Sequence, residues 1–544
     1  MSLEEKVAQL IHVAGYSNRD DSHEEYLLTL IEKYGIGGII FFQGTPSAQA
    51  AITNRCQAAS QIPLMISIDG EWGLGMRLDE SMGFPYQLAL GALQDNTLIY
   101  KMGKEVARQC KRIGIHVNFA PDADINNNPK NPVIGFRSFG EDKYKVAEKS
   151  IAYMKGLQDG GVMACGKHFP GHGDTSTDSH MALPVLGHDL ERLEEMEFYP
   201  FKRLIEEGVA SMMVAHLQLP AFEPNKNLAS TLSKNIVDGL LKKHLGFEGL
   251  IFTDALDMKG VSSFHKPGVV DKLAFMAGND VLLFSENVEA AINEIIKGVE
   301  NGEILASEID ARCMKILKAK KWLGVFDQKS VETEGLHQEL HTTEALALNT
   351  QLFDKSLTRI TNHKSLLPIK AAQKTLSIAW VNDKMQVPGK GTEQLMHHLL
   401  IPNSDNEEAG DITSFQQKLK KSIDIECVCF KNNEIEQNLD TLQKRLSKVD
   451  VVILSLHGLE LKPINDFGIT TELLTLVKLI SEKSKVIMLL PTSPYALEKF
   501  PNLKELDEIL VAYQENSFTI DSVIKALKGD IVPEGVLPVS IKGL

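Results

Sequence analysis

The sequence predicts an α/β protein with an N-terminal (β/α)8 barrel of the TIM type followed by a smaller α/β sandwich. Three observations predict it. Short apolar runs alternate with longer amphipathic stretches through the first 330 residues. Ionisable residues recur at the C-terminal ends of those runs, where a barrel gathers its strand ends on one rim. Past a charged helical stretch, a second series of apolar runs begins with helical segments of its own.

Eight runs qualify as barrel strands: Leu10 to Ala14, Ile36 to Phe42, Pro63 to Ile68, His116 to Ala120, Gly161 to Gly166, Ala210 to Ala215, Gly249 to Thr253 and Asp280 to Phe284. Continuous apolar strands with helical crossovers, such as Thr97 to Arg112 and Tyr144 to Gln158, mark a parallel sheet buried on both faces. An open doubly wound sheet is the competing architecture. The second series is Leu376 to Val381, Ile425 to Phe430, Val451 to Leu456, Lys485 to Leu490 and Glu508 to Ala512. The expected organisation is therefore a barrel over 1–330, a linker over 331–365 and a sandwich over 366–544.

Composition bounds the function. A formal net charge of −15 leaves no basic excess for phosphates, which argues against a nucleic-acid partner. No stretch approaches the ~18 apolar residues of a membrane span. Six cysteines, at 56, 110, 165, 313, 427 and 429, form no Cys-x-x-Cys pair and do not read as a zinc ribbon or disulfide framework. Met1-Ser2-Leu3 runs straight into a helical pattern without a signal peptide, and the compartment, cytoplasmic or cell-envelope, stays open.

The ionisable residues keep the strand register. Asp69 ends the third run, Asp122 and Asp124 follow the fourth, Lys167 and His168 the fifth, His216 the sixth and Asp254 the seventh. The densest stretch is Lys167 to His180, a polar loop with one Pro, two Gly, three His and two Asp. Asp254 suits a nucleophilic carboxylate at a strand end, and suits a helix N-cap equally well. His180 can serve as proton donor, with Asp178 two residues before it to orient the ring; both also fit ordinary loop roles. Arg137, Lys167, His168 and Asp69 can hold sugar hydroxyls, Arg137 alternatively clamping its own loop. A metal on His168, His172, Asp174, Asp178 and His180 is disfavoured, because Pro170 and Gly171 break any helical His-x-x-x-His pair and Lys167 adds a cation.

These segments together resemble glycoside hydrolase family 3, in its β-N-acetylglucosaminidase branch. The resemblance is carried by Leu3 to Leu10, Ile68-Asp69-Gly70-Glu71, Asn118 to Pro121 with Asp124, Gly135 to Asp142, the 167–180 run, and Phe252-Thr253-Asp254-Ala255-Leu256. It implies that Asp254 is the nucleophile, His180 the acid/base and Asp178 its partner, with Asp69, Arg137, Lys167 and His168 contacting the sugar. The β-glucosidases of that family usually take their acid from the second domain, so the Asp-Ser-His ending argues for N-acetylhexosamine over glucose. One departure stands out. The Gly-Gly-Arg segment common in the branch is replaced by Trp72-Gly73-Leu74, with Arg77 as a substitute for the missing arginine and Trp72 as an apolar wall or stacking ring.

The expectation is a cofactor-free and metal-free retaining exo-β-N-acetylglucosaminidase acting through a covalent glycosyl-Asp254 intermediate. Its partner is a carbohydrate with terminal β-GlcNAc, from peptidoglycan fragments, chitooligosaccharides or glycans. A β-glucosidase or β-GlcNAc phosphorylase on the same fold, a metal-dependent barrel hydrolase, and a non-enzymatic sugar-binding protein are the alternatives.

Overall fold

The computed structural model describes residues 1–178, 182–363, 365–382, 400–401 and 412–544. The chain divides into two compact units: Met1–Gln87 with Asp95–Leu348, and Leu88–Gln94 with Asn349–Leu544.

The first unit is built on eight strands: β1 (Ile11–Gly15), β2 (Gly38–Phe41), β3 (Met65–Ile68), β4 (Val117–Asn118), β5 (Met163–Phe169), β6 (Ser211–Val214), β7 (Leu250–Thr253) and β8 (Leu282–Leu283). Their order is β7-β6-β5-β4-β3-β2-β1-β8, and every pairing is parallel. A single Phe252–Val281 bridge spans the gap between β7 and β8 and all but closes the ring. Each of the eight apolar runs thus overlaps one barrel strand, with β1 running one residue past its run and β5 running on through Lys167 and His168 to Phe169. Their near-continuous burial is what a parallel sheet wrapped in helices requires.

The outer helices follow from their caps and spacing. In Asn96–Arg112, Asp95 caps the amide of Thr97, while Leu98, Ile99, Met102, Val106, Ala107 and Cys110 repeat at helical spacing and are buried. This helix meets Lys143–Asp159 backbone to backbone. A Cβ on Gly156 would stand 2.3 Å from the Tyr100 carbonyl oxygen, and one on Gly103 would stand 2.6 Å from that of Tyr153. Two glycines set the approach of these helices.

The second unit holds β9 (Thr358–Thr361), β10 (Thr375–Val381), a small antiparallel pair β11 (Leu400–Ile401) and β12 (Ile412–Thr413), then β13 (Glu426–Lys431), β14 (Val451–His457), β15 (Lys485–Leu490) and β16 (Glu508–Val511). The main sheet runs β13-β10-β14-β15-β16-β9, with β9 alone antiparallel. Ile453, Ile487 and Leu510 on one of its faces pack with Phe415, Leu419, Ile524 and Leu527 from the covering helices. Residues 331–365, expected as a linker, carry the helices Leu336–Leu340 and Thr343–Ser356 and the edge strand β9. That strand reads Thr-Arg-Ile-Thr, too short and too polar to register as an apolar run; Arg359 pairs with Glu508 on β16 instead. All six cysteines are free thiols, five of them buried.

Candidate active site

The C-terminal rim of the barrel collects the ionisable residues that end its strands. The turn after β3 is fixed first. Gly70 donates to Asn118 Oδ1 (2.8 Å) and accepts from Asn118 Nδ2 (3.0 Å) and from the Tyr153 hydroxyl (2.9 Å). A Cβ on Gly70 would lie 3.0 Å from Asn118 Oδ1, a tight contact with the side chain that holds the turn.

This turn presents Asp69 and Glu71 to three cations. Lys167 Nζ, 1% exposed, donates to Asp69 Oδ1 and approaches Glu71 Oε1, both at 2.8 Å. Arg77 donates to Asp69 Oδ2 at 2.6 Å. Arg137 grips Glu71 with two nitrogens, Nη2 to Oε1 at 2.7 Å and Nε to Oε2 at 3.0 Å, a bidentate fork of the stronger kind. Burial alone would raise the carboxyl pKa values, but Lys167 and Arg77 outweigh it at Asp69, and Arg137 with Lys167 hold Glu71 down at about 2. Burial likewise works against the Lys167 charge, and Asp69 and Glu71 reverse that, raising its pKa.

The lattice continues into the loop after β4 and onto the last residues of β5, where Lys167 and His168 stand within the strand rather than after it. Arg137 Nη2 lies 3.1 Å from His168 Nε2, and His168 Nδ1 lies 2.7 Å from Asp124 Oδ2. A guanidinium only donates and a carboxylate only accepts, so His168 carries its hydrogen on Nδ1 and receives Arg137 at Nε2. The other Asp124 oxygen accepts from the His172 amide at 2.6 Å. Asp122 is different: its burial, then the neighbouring Asp124 charge, push its pKa well above the ordinary carboxyl range. Burial lowers His172 to about 4, leaving it neutral.

Asp254 stands directly after β7 and is partly exposed. Its amide donates to Val214 of β6 at 3.0 Å, extending the barrel ladder by one residue, and its Oδ1 accepts from the Ala255 amide at 2.8 Å. His172 and Cys165 both sense its charge, which places it on the rim beside the end of β5. His216, at the end of β6, donates from Nε2 to the Ala255 carbonyl (2.8 Å) and so holds the residue after Asp254. Asp178 is half-buried, and its carbonyl accepts from the Ala182 amide at 3.1 Å. His180, the expected acid/base, lies outside the described residues.

The structure therefore brings Asp69, Arg137, Lys167 and His168 into one charged lattice. Glu71, not among the expected sugar contacts, joins it, and Arg77, expected as a substitute for the missing arginine, pairs with Asp69. Glu71 could have been found by asking what neutralises both Arg137 and Lys167. The Trp72–Leu74 departure also becomes clear: Leu74 is fully buried, and Arg77, three residues on, reaches Asp69. Trp72 packs edge-on against Tyr86 (4.8 Å) and, tilted, against Phe136 (6.1 Å). Asp122, Asp124 and His168 lie close enough for a cation, but Arg137 already stands 3.8 Å from Asp122 and 3.1 Å from His168.

A charged lattice and a partly exposed carboxylate at the strand ends of one barrel suit a polyhydroxylated ligand, and comparison with known proteins decides the family. Residues 2–319 match the Glycosyl hydrolase family 3 N terminal domain. The chain belongs to glycosyl hydrolase family 3. It is 32% identical over 376 residues to Beta-hexosaminidase A of Pseudoalteromonas piscicida, covering 63% of this chain and 62% of that protein. It is 27% identical over 377 residues to a Beta-N-acetylglucosaminidase/beta-glucosidase of Cellulomonas fimi, covering 68% of this chain and 66% of that one. Each match spans a little under two thirds of the relative's length. A solved family 3 beta-N-acetylglucosaminidase from Paenibacillus sp. str. FPU-7 superposes with a TM-score of 0.81 at 29% identity, covering 99% of both chains.

Proposed function

We propose that this family 3 chain is a retaining exo-β-N-acetylglucosaminidase of the β-hexosaminidase type. The observation that carries the reading is the position of Asp254: a partly exposed carboxylate on the same barrel rim as the Asp69–Lys167–Glu71–Arg137–His168 lattice. The likeness to a relative named Beta-hexosaminidase A and to a solved structure named a family 3 beta-N-acetylglucosaminidase supports the choice of sugar.

In this reading the lattice holds the hydroxyls of the terminal sugar, since it sets donors and acceptors side by side while their charges cancel one another. Asp254 attacks the anomeric carbon, and the C1–oxygen bond breaks as His180 gives its proton to the departing oxygen. The glycosyl ester on Asp254 is then cleaved by water, whose proton returns to His180. Asp178 orients the imidazole and favours its protonated form. The terminal residue is GlcNAc, linked to a peptidoglycan fragment, a chitooligosaccharide or a glycan.

Initial rates on p-nitrophenyl β-GlcNAc and p-nitrophenyl β-glucoside in phosphate-free buffer test the proposal. Strong preference for the acetamido sugar is expected. Preference for glucose would overturn the sugar assignment, and rates that require added phosphate would convert the reaction to phosphorolysis.

A further inference from the structure

The strand β5 ends at Phe169, and the chain that follows leaves the barrel and returns to it before the helix Leu190–Glu195. Its outward limb is seated hard. A Cβ on Gly173 would stand 1.7 Å from the Ile125 carbonyl oxygen, and Gly171, at φ +126°, faces Glu197. Asn131 Nδ2 donates to the His172 and Gly173 carbonyls at 2.8 and 2.9 Å, and Asn128 Nδ2 donates to the Thr175 carbonyl at 3.1 Å. The return limb is seated on the chain after β6: Leu186 donates to the Gln218 carbonyl (2.9 Å) and Gln218 to that of Pro184 (2.8 Å). Between these limbs lie the sequence positions of Asp178 and His180.

The two limbs are joined by side chains. Asp174 Oδ2, on the outward limb, lies 2.8 Å from His188 Nε2 on the return limb. Arg192 Nη2 stands 3.6 Å from the same oxygen and 3.3 Å from Glu197 Oε1, and Glu197 is 97% buried (3% exposed). Asn127, with its amide oxygen turned to the guanidinium, accepts from Arg192 at 3.1 Å, which ties the cluster to the loop after β4. Residues 174 and 188 are thus drawn together by their own side chains, the arrangement found at the neck of an Ω-loop.

We propose that the Asp174–His188 pair, backed by Arg192, is a staple that closes the neck of the loop carrying Asp178 and His180, making Asp174 and His188 positioning residues for proton transfer. The inference rests on the reading of His180 as acid/base. Neither residue touches the sugar in this account. The staple removes conformations of the loop that would hold the proton donor away from the glycosidic oxygen, a geometric contribution to the glycosylation step.

The staple predicts a loss that depends on the leaving group. N,N′-diacetylchitobiose needs full protonation of its departing oxygen, whereas p-nitrophenyl β-GlcNAc departs with far less help. His188→Leu should lower kcat/KM for the disaccharide by about tenfold, part of the 10²–10⁴ that acid catalysis supplies, and for the aryl glycoside by less than about twofold. KM should stay within about twofold, and His188→Gln, which keeps a donor toward Asp174, should restore most of the loss. Should His188→Leu fail to fold, judged by its melting curve, Asp174→Asn carries the same comparison. Equal losses on both substrates, or none on either, would overturn the staple. His180→Ala measured alongside separates the two claims. If it shows the leaving-group contrast while the staple variants do not, the staple alone fails; if it shows none, the acid/base assignment fails first.

Discussion

Two sheets in this chain, one wholly parallel and one parallel except for β9, carry polar residues at their strand ends and use them in opposite ways. At the barrel rim the polar groups are mostly full charges in an extended lattice, Asp69 and Glu71 against Lys167, Arg77 and Arg137, continued by Asp124 on His168, with partly exposed Asp254 at the end of β7. On the second sheet, Ser455 Oγ donates to His457 Nε2 (2.9 Å), and His457 Nδ1 donates to Glu515 Oε1 (2.6 Å). That is the bond order of a hydrolytic triad, yet Ser455 and His457 are 2% and 4% exposed. The Gly458 amide supplies a further bond to Glu515 (3.3 Å). Burial does not separate the two networks, since Glu71, Asp124 and Lys167 are 0%, 0% and 1% exposed. What separates them is charge: the second sheet carries one short chain that satisfies its own members, whereas the rim gathers several full charges of both signs at the strand ends. Hydrogen-bond order alone does not make an active site.

The comparison breaks most easily at Asp254. Asp254→Asn keeps the shape and removes the nucleophile, and turnover of p-nitrophenyl β-GlcNAc should fall by roughly 10⁴-fold, the scale of losing a covalent catalyst. A rate near wild type would show that the barrel rim is not where the chemistry occurs.

Next in size is Glu71→Ala. It leaves Arg137 and Lys167 buried with an uncompensated charge, and breaking such a pair costs about 3–5 kcal/mol. Urea unfolding should show the loss together with a collapse in activity. A fully stable variant would mean that water reaches the lattice and that its charges are not held by one another.

His457→Ala sharpens the contrast from the other side. It strands the Ser455 hydroxyl and the Glu515 carboxylate, at a cost of about 1–3 kcal/mol of stability, while kcat/KM should stay within about twofold. A large loss of activity without a change in melting would put the second network into the reaction.

How much of this was legible in the sequence follows from what kind of signal each residue leaves. The barrel strands were readable because parallel strands buried on both faces must be apolar throughout, and Asp69, Lys167, His168 and Asp254 because they interrupt those runs at their ends. β9 was not, since an antiparallel edge strand needs neither length nor apolar character. The dual pairing of Glu71 and the reach of Arg77 depend on how two turns face each other in space. So does the Asp174–His188 contact, between residues fourteen positions apart with no periodicity to connect them. Ser455, His457 and Glu515 left no sign at all: a Ser and a His inside an apolar strand look like tolerated polar substitutions until the sheet pairs them with a residue after β16.

The smallest expected effect concerns protons in the barrel itself. Burial lowers His12 to about 3 and, with the nearby Lys320 charge assisting, leaves it neutral in the folded state; both of its ring nitrogens lack a hydrogen-bond partner among the described residues. Burial also lowers His116 and His172 to about 4. A depressed histidine pKa means that the unfolded chain binds the proton first. Stability therefore falls as the pH drops below about 6.5, the ordinary histidine value, and keeps falling toward the folded-state values. His12 faces Phe252 edge-on at 6.2 Å within the barrel core, away from the sugar lattice. His12→Leu should then flatten the decline of Tm between pH 6.5 and 4 while leaving rates at neutral pH unchanged. An unaltered Tm profile would place the acid sensitivity with His116 and His172, and so move it from the barrel core toward the strand ends.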